Sequence, residues 1–506
     1  MPFKHFFRSH TLIAGTLFLT ASGILSRILG FFYRIYLSRT IGAEGLGIYQ
    51  MVFPVYGICF SLCAGSIQTA ISRFTAANRE RAKQTLFCGF LISFSISLIL
   101  AALIRSQADF LAVHILMEPQ CAPLLPALAL AIPFTSLHAC VCGYFYGRNN
   151  VQLPAVAQLL EQCVRIFTVF LVVDIRQSMG YEVTAVVAVF GLLAGEAASA
   201  LFVLLSFFIL SGSTQAALPR ISNFASFQTT AVPLMTLAAP LMANRLVMNV
   251  LQSAEAIMIP NKLEQFGLTS SQAVSIYGVL TGMAMPFIMF PSAIVNSLAV
   301  VLLPTVARQQ AAGNNSGIIK NLSLSVRYSL YMGILCIGIF TVFGSDLGMN
   351  VFQNQDAGTF ITILAWLCPF LYLATTMGSV LNGLGKTTIT FANNCISLLI
   401  RLIFVFFGIP HFGIHACLWG MLVSEILLVL LHSFALRRLI DFSLNAWDIL
   451  VKPAFCLMVA LGIHRLLPES LPITSFLPAF GWTIVRIGFV SVCYGLVLLL
   501  VCHNKS

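Results

Sequence analysis

Two arginines, Arg27 and Arg34, lie one heptad apart inside an apolar stretch, GILSRILGFFYRIYLSRTIGAEGLGIYQ at residues 23–50. A charge at the centre of a bilayer costs about 2.5–3.5 kcal/mol on insertion scales, so it needs a partner or a water-filled cavity. Small and polar residues recur with both arginines at helical spacing and form one stripe. The spacing predicts that Arg27 lies deep in a membrane helix. Arg34 lies nearer the interface, where it could instead be an anchor.

Other apolar segments also carry polar side chains that could bind a ligand. Glu161 and Arg165 are four residues apart, so they could form a structural ion pair instead. The remaining candidates for a substrate-binding cavity are Asn244, Arg245, Asn249 and Arg401, and those for ion coupling are Glu255 and Glu425. Guanidinium groups bind phosphate oxygens through two parallel hydrogen bonds. Arginines that face one cavity therefore predict an anionic cargo such as a pyrophosphate. If the pyrophosphate is attached to a lipid, the lipid tail could stay in the bilayer.

The composition predicts that lipid is the solvent of these elements. Only 8% of the 506 residues are charged and 59% are hydrophobic, whereas a soluble domain has roughly 25% charged residues. The apolar run after MPFKHFFRSH is too long for a signal peptide and is predicted to be the first membrane helix. The net charge of +11 favours contact with an anionic membrane surface over nucleic acid.

A membrane-spanning helix needs about 20 mainly apolar residues, and fourteen segments meet this requirement. They are residues 11–37, 47–72, 84–104, 122–146, 153–174, 182–210, 231–258, 274–303, 321–345, 357–383, 387–409, 412–436, 447–467 and 480–502. With the N-terminus inside, the inside segments carry thirteen Lys and Arg residues and the outside segments carry five. This positive-inside bias predicts that both termini are cytoplasmic. Because all predicted loops are short, we expect a transporter and not an enzyme, with no catalytic residues, no cofactor and no metal.

An internal repeat predicts the domain organisation. YGRNNVQLPAVAQLLEQCVRIFTVF from Tyr146 is similar to GLGKTTITFANNCISLLIRLIFVFF from Gly383, and the two lie six predicted spans apart. An even offset gives both halves the same orientation. The predicted fold is an all-α integral membrane protein of about fourteen helices, with two pseudo-symmetric six-helix lobes. The predicted parts are an N-lobe (1–210), a cytoplasmic linker compatible with an amphipathic segment (211–230), a C-lobe (231–438) and two extra helices (439–506).

Three N-terminal stretches, LSRILGFFYR, IGAEGLGIYQMVFP and QTAISRFTA, resemble the stage V sporulation protein B-like polysaccharide exporters. This group belongs to the multidrug/oligosaccharidyl-lipid/polysaccharide (MOP) flippase superfamily, with the lipid II flippase. The resemblance implies that an undecaprenyl-pyrophosphate-linked saccharide moves from the inner to the outer leaflet by alternating access through a central cavity. Ser26 and Arg27 match a Ser-Arg pair in the cavity of lipid II flippases, whereas Arg34 is one residue out of register with the second cation of that family.

Two other functions remain open from the sequence. A multidrug/cation antiporter of the same superfamily would need a mid-membrane carboxylate for ion exchange, and the deep acids Glu161 and Glu255 have arginines nearby. The sodium site of some lipid II flippases needs an acid in span 11, and this span has none. A non-transport scaffold for envelope synthesis would not need arginines within the membrane. The expected partners are the polyprenyl-linked saccharide, lipids of the bacterial plasma membrane and envelope-synthesis enzymes, with no nucleic acid.

Overall fold

Helices make up the regular structure of the described part of the chain. The computed structural model describes residues 11–211, 224–440, 442, 445, 447–466 and 479–503. Within these ranges, fourteen helices are long and apolar enough to cross a membrane. The predicted all-α, multi-pass fold is therefore confirmed. Contacts divide the chain into two compact units, Met1–Ile257 and Met258–Ser506.

Among the described residues of the first unit, seven α-helices longer than four residues and most of an eighth are present. They are α1 (Thr11–Met51), α2 (Phe53–Phe60), α3 (Ser66–Ala77), α4 (Ala82–Ser106), α5 (Leu125–Gly147), α6 (Gln152–Ser178), α7 (Val186–Ser211) and α8 (Phe224–Gln265). Because α8 starts at Phe224, residues 224–230 of the predicted linker 211–230 are helical, and residues 212–223 lie outside the described residues. The lobe boundaries at 210 and 231 stay a prediction.

The described part of the second unit has ten α-helices longer than four residues. They are α9 (Ser270–Gly278), α10 (Met285–Met289), α11 (Ser292–Ala311), α12 (Asn315–Leu347), α13 (Gln355–Leu364), α14 (Cys368–Gly383), α15 (Thr387–Ile403), α16 (Ile414–Leu439), α17 (Lys452–Arg465) and α18 (Ala479–His503). The single predicted span 274–303 is in fact two candidate spans, Ser270–Met289 and Ser292–Ala311. They are separated next to Pro291, because proline lacks the amide hydrogen that would continue the helical hydrogen bonds.

The first two predicted spans have no loop between them. They form one run, Ala21–Ala77, whose 57 residues give a length of roughly 85 Å, more than twice the hydrocarbon thickness. The run is long enough for two crossings, and the non-helical residue inside α1 is Gly42, with φ 71° and ψ −175°. A Cβ at Gly42 would meet no atom within 4 Å. Glycine is therefore required here by the backbone conformation and not by lack of space.

Replacement of Gly42 by alanine is expected to destabilise the protein by about 1–3 kcal/mol, because this backbone region is open almost only to glycine. The matched control is Gly30→Ala in the same helix, where the added Cβ also meets nothing within 4 Å and φ is not positive. Thermal unfolding of the purified protein should show a lower Tm for Gly42→Ala alone. Equal Tm values for the two variants would contradict the bend.

Wide π-helical turns occur at corresponding places in the two units. Ser61–Gly65 lies between α2 and α3, and Val279–Ala284 lies between α9 and α10. In a second pair, four residues separate the end of α4 from Leu111–Ile115, and Gly348–Phe352 directly follows α12. Because π-turns are rare and concentrate at functional sites, two matched pairs support the internal repeat more strongly than the similarity of apolar sequence does.

A close helix–helix contact is also repeated. In the first unit, a Cβ at Gly143 would lie 2.6 Å from the Gln68 carbonyl oxygen, and one at Gly147 would lie 2.5 Å from that of Ser72. The spacing is the small-xxx-small pattern that brings membrane helices together. In the second unit, Ser379 donates a hydrogen bond to the Ala299 carbonyl (2.6 Å), and a Cβ at Gly383 would lie 2.9 Å from the Leu303 carbonyl. Each unit thus has its own four-residue contact of the same kind.

Candidate functional site

Helices α1 and α6 bring two of the predicted arginines together. Tyr36 of α1 stacks on Phe170 of α6 with ring centroids 3.9 Å apart. Two residues before Tyr36, Arg34 of α1 lies within electrostatic range of Arg165 of α6 and of two tyrosines of α1, Tyr33 and Tyr49. Two predicted cavity cations, 131 positions apart in the chain, therefore share one site in the first unit.

The predicted Glu161–Arg165 pair forms on α6. An Arg165 Nη2 hydrogen donates to Glu161 Oε1, and the side chains are 14% and 13% exposed. Arg165 Nε is buried and has no hydrogen-bond partner among the described residues. Since a guanidinium has five donor hydrogens, this contact leaves Arg165 donors that a further acceptor could use. The geometry is compatible with both a structural pair and a ligand site.

A second carboxylate, Glu196 of α7, lies beside this pair in a hydrogen-bonded chain. The Tyr56 hydroxyl of α2 donates to Glu196 Oε1 at 2.8 Å. His138 of α5 places Nδ1 3.8 Å from Glu196 Oε2 and 2.8 Å from the hydroxyl of Ser199. Four helices thus converge on one polar cluster, which we call the His138 cluster and define as Tyr56, His138, Glu161, Arg165 and Glu196.

A cavity of about 210 Å³ opens onto the His138 cluster. His138, Glu161 and Glu196 contribute to its wall, and so does the amide side chain of Gln158. At roughly 30 Å³ per water in the liquid, the volume has room for several water molecules or for one ion with part of its hydration shell. Polar side chains within a membrane helix bundle typically face such wet spaces.

Helix α8 holds its predicted site residues against the helix that contains the π-turn. Arg245 donates to the Thr69 hydroxyl at 3.3 Å, and Asn249 donates to the Ser61 hydroxyl at 2.6 Å. Asn244 and Arg245 are exposed, and Asn249 is half-buried. The structure therefore gives Arg245 and Asn249 protein partners next to the π-turn, and a role of Asn244 in substrate binding stays a prediction.

The other residues predicted in the first unit lie in different surroundings. Arg27 is exposed on α1, and its neighbour Ser26 is buried with a hydroxyl that has no hydrogen-bond partner among the described residues. Glu255 is buried on α8. None of these three lines the cavity beside His138. Their roles in substrate binding or ion coupling stay predictions.

The second unit has a polar cluster of its own. Arg401 of α15 and Glu425 of α16 lie 3.9 Å apart as a partly buried ion pair. One turn or two away, the Asn393 amide and His432 Nδ1 are 3.0 Å apart. The predicted ion-coupling acid Glu425 therefore interacts with the predicted cavity cation Arg401, an interaction that sequence spacing could not indicate.

Sequence reasoning missed His138 and Tyr56. The signal for His138 was present, because it is a titratable side chain inside the apolar run LPALALAIPFTSLHACVCGYFYG of α5, and such residues are candidate functional sites by default. Tyr56 carried no comparable signal. Its role depends on the contact with Glu196, 140 positions later.

Comparisons with known proteins agree with this fold. The model of the family described as "Polysaccharide biosynthesis protein" matches residues 12–310. The chain is 27% identical over 442 residues to the stage V sporulation protein B of Bacillus subtilis (strain 168), covering 86% of this chain and 85% of that protein. These matches confirm the resemblance that the N-terminal motifs predicted.

Two solved structures share the fold at low sequence identity. One is the lipid II flippase MurJ in an inward closed conformation, with a TM-score of 0.75, 13% identity and coverage of 96% of this chain and 99% of that one. The other is an inward-facing multidrug resistance MATE family transporter of the MOP superfamily, with a TM-score of 0.64, 14% identity and coverage of 82% and 95%. The fold is therefore that of the MOP superfamily.

Proposed function

The chain belongs to the polysaccharide biosynthesis protein family, and from this premise we propose that it is a flippase for an undecaprenyl-pyrophosphate-linked saccharide. The cargo would be a lipid II-like precursor of the cell wall or spore envelope, moved from the inner to the outer leaflet of the bacterial plasma membrane. Both termini would lie in the cytoplasm. The similar proteins with named roles, a lipid II flippase and a stage V sporulation protein, support this class of cargo.

The observation that carries the proposal is that two predicted cavity cations, Arg34 and Arg165, act on each other electrostatically in the first unit. Glu161 and Glu196 are two negative charges that also act on Arg165. The Nε of Arg165 is buried and has no hydrogen-bond partner among the described residues. A pyrophosphate oxygen would accept a hydrogen bond there, as phosphate oxygens do from guanidinium groups.

Transport by this route is alternating access and involves no covalent step. The arginines hold the pyrophosphate, the saccharide occupies water-filled space, and the polyprenyl chain remains in lipid. Release on the opposite side requires only that the conformation that binds the cargo tightly be less populated when the cavity is open to that side. We assign Arg27, Arg245 and Arg401 to the same pathway as a prediction from the sequence.

The test is movement of fluorescent lipid II in proteoliposomes. Arg34→Ala should lower the initial rate at least about tenfold, because a lost charge-assisted hydrogen bond is worth about 1.5–3 kcal/mol and 1.4 kcal/mol is tenfold. The matched control is Arg105→Ala, an exposed arginine at the end of α4, which should transport at the wild-type rate. Movement of lipid II by Arg34→Ala at the wild-type rate would show that Arg34 does not bind the cargo.

The same vesicles test the second function, a multidrug/cation antiporter. The buried carboxylate of Glu196 favours that alternative, since ion exchange against a cationic drug needs an acid within the membrane. Export of a cationic dye driven by a proton or sodium gradient, without movement of lipid II, would establish the antiporter. Vesicles that move neither compound would favour a scaffold for envelope synthesis.

A further inference from the structure

We propose that the second unit binds the head group of a phosphoethanolamine lipid at one end of α12, α17 and α18. The lipid phosphate would contact Arg486, and the ammonium group would contact Asp346. Both residues lie outside the His138 cluster and outside the candidate site residues predicted from the sequence. The proposal does not depend on the proposed flippase function, because it concerns a lipid that surrounds the protein and not its cargo.

Three helix ends bring the polar side chains of this site together. Asp346 is one residue from the end of α12, His464 is one residue from the end of α17, and Arg486 lies in the third turn of α18. Side chains on a helix point towards its N-terminus, so Arg486 points back to the start of α18. A long basic side chain near the end of a membrane helix places its charge in the head-group region in this way.

The packing around Arg486 fixes its guanidinium group and leaves donors available. Its Nε donates to His464 Nε2 at 3.0 Å, and its central carbon lies 5.1 Å from the ring centroid of Phe343. Among the residues that the structure describes, this is the one hydrogen bond of Arg486, whereas a guanidinium has five donor hydrogens. The side chain is 25% exposed, so a ligand can reach the other donors. Phosphate oxygens accept two parallel hydrogen bonds from such a group.

Asp346 places a negative charge beside these donors. Its Oδ2 lies 3.8 Å from Nη1 of Arg486, a distance that brings the two charges together but is too long for a hydrogen bond. The Asp346 side chain is 47% exposed, so its carboxylate is open to a second cation. His464 is neutral, because its Nε2 accepts a hydrogen bond from Arg486. The site therefore presents one positive and one negative group with no net charge.

This charge pattern matches one class of head group. Phosphatidylglycerol would meet Arg486 through its phosphate but would be repelled by Asp346. Phosphatidylcholine carries a quaternary ammonium without N–H groups, so it cannot donate a hydrogen bond to the carboxylate. Phosphatidylethanolamine has a phosphate for Arg486 and, across a short ethylene linker, an ammonium group whose three hydrogens suit Asp346. Its head group is also neutral overall, like the pair that it would contact.

Trp482 supports a lipid head group at this end of α18. It lies four residues before Arg486 on the same face of the helix, and tryptophan is enriched at the membrane–water interface. Its indole Nε1 is buried and has no hydrogen-bond partner among the described residues. A buried indole N–H usually has one, and a lipid ester oxygen at this interface would be a suitable acceptor.

The experiment measures the Tm of the purified full chain in dodecyl maltoside, a detergent without phosphate. Phosphatidylethanolamine, phosphatidylglycerol or phosphatidylcholine with the same acyl chains is added in turn. In the wild type, we expect a saturable rise in Tm with phosphatidylethanolamine and an apparent Kd at least about tenfold weaker for the other two lipids. The reason is that each of these lacks the charge-assisted hydrogen bond between the ammonium group and Asp346.

Two variants separate the two halves of the head group. Asp346→Asn removes the acceptor for the ammonium group and the repulsion of an anion, so phosphatidylethanolamine and phosphatidylglycerol should bind within about threefold of one another. Arg486→Gln removes the phosphate contact and should weaken both lipids at least about tenfold. The matched controls are Asp356→Asn, an acid in the first turn of α13, and Arg105→Gln, an exposed arginine at the end of α4. Both should behave like the wild type.

Equal responses of the wild type to the three lipids would overturn the proposal. A preference for phosphatidylethanolamine that survives in Asp346→Asn would also overturn it. Should Arg486→Gln not yield a monodisperse protein, Asp346→Asn still decides, since its exposed side chain tolerates an amide. None of these measurements uses lipid II, so failure of the lipid site and failure of the flippase function can be distinguished.

Discussion

Arg165→Ala should abolish lipid II movement in proteoliposomes and lower the free energy of unfolding by about 3–5 kcal/mol. The reason is that α6 then keeps a buried carboxylate, Glu161, whose positive partner is gone, and breaking a buried ion pair from one side costs about this much. Glu196 increases the effect, because it is a second negative charge that acts on Glu161. The measurements are initial transport rates and reversible unfolding of the purified protein.

The double variant Glu161→Gln/Arg165→Ala separates stability from transport. It removes both charges together, so most of the lost stability should return, as expected for two residues that interact directly. Transport should stay lost if Arg165 binds the pyrophosphate. Recovery of transport in the double variant would mean that Arg165 only neutralises Glu161. The control on the same helix is Arg176→Ala, whose guanidinium contacts the Glu182 carbonyl near the end of α6.

Gly143→Ala/Gly147→Ala should destabilise the first unit by about 2–6 kcal/mol, taking about 1–3 kcal/mol for each overpacked site. Each new methyl group would meet a backbone carbonyl of α3 at 2.5–2.6 Å, and a backbone cannot rotate away as a side chain can. Helix α5 would therefore move away from α3. Since α5 also holds His138, transport should fall together with the Tm.

The matched control for this pair is Gly462→Ala/Gly488→Ala in α17 and α18. A Cβ at either position meets nothing within 4 Å, so these changes should raise the Tm slightly, because alanine favours a helix by up to about 1 kcal/mol over glycine. The two double variants thus have opposite expected signs. Equal shifts would show that helix propensity, and not the contact between α3 and α5, decides the result.

Much of the fold followed from local sequence, because length and hydropathy are sufficient to identify membrane helices. The Glu161–Arg165 pair also followed, since a spacing of four residues on a helix puts both side chains on one face. The break near Pro291 and the bend at Gly42 did not. Whether a proline or glycine bends a helix or ends it depends on the neighbouring helices, and a single segment does not contain that information.

The polar cluster was predicted only in part. Arg34, Glu161 and Arg165 were singled out for their charge, and the structure brings them close together. His138 and Tyr56 were missed because their significance depends on Glu196, which reaches them from another helix. Arg401 was predicted to join the other arginines. It lies in the second unit with Glu425, and its part in a common cavity stays a prediction.

The bend at Gly42 has a consequence in terms of chirality. Its angles, φ 71° and ψ −175°, are nearly the mirror image of an extended polyproline II residue, a conformation that L-amino acids adopt freely at φ ≈ −75° and ψ ≈ +145°. An L-alanine is strained here by its backbone conformation alone, since its Cβ would meet no atom within 4 Å. Gly42 thus adopts, inside α1, a backbone conformation that is natural for a D-amino acid, and glycine can do so because it is achiral.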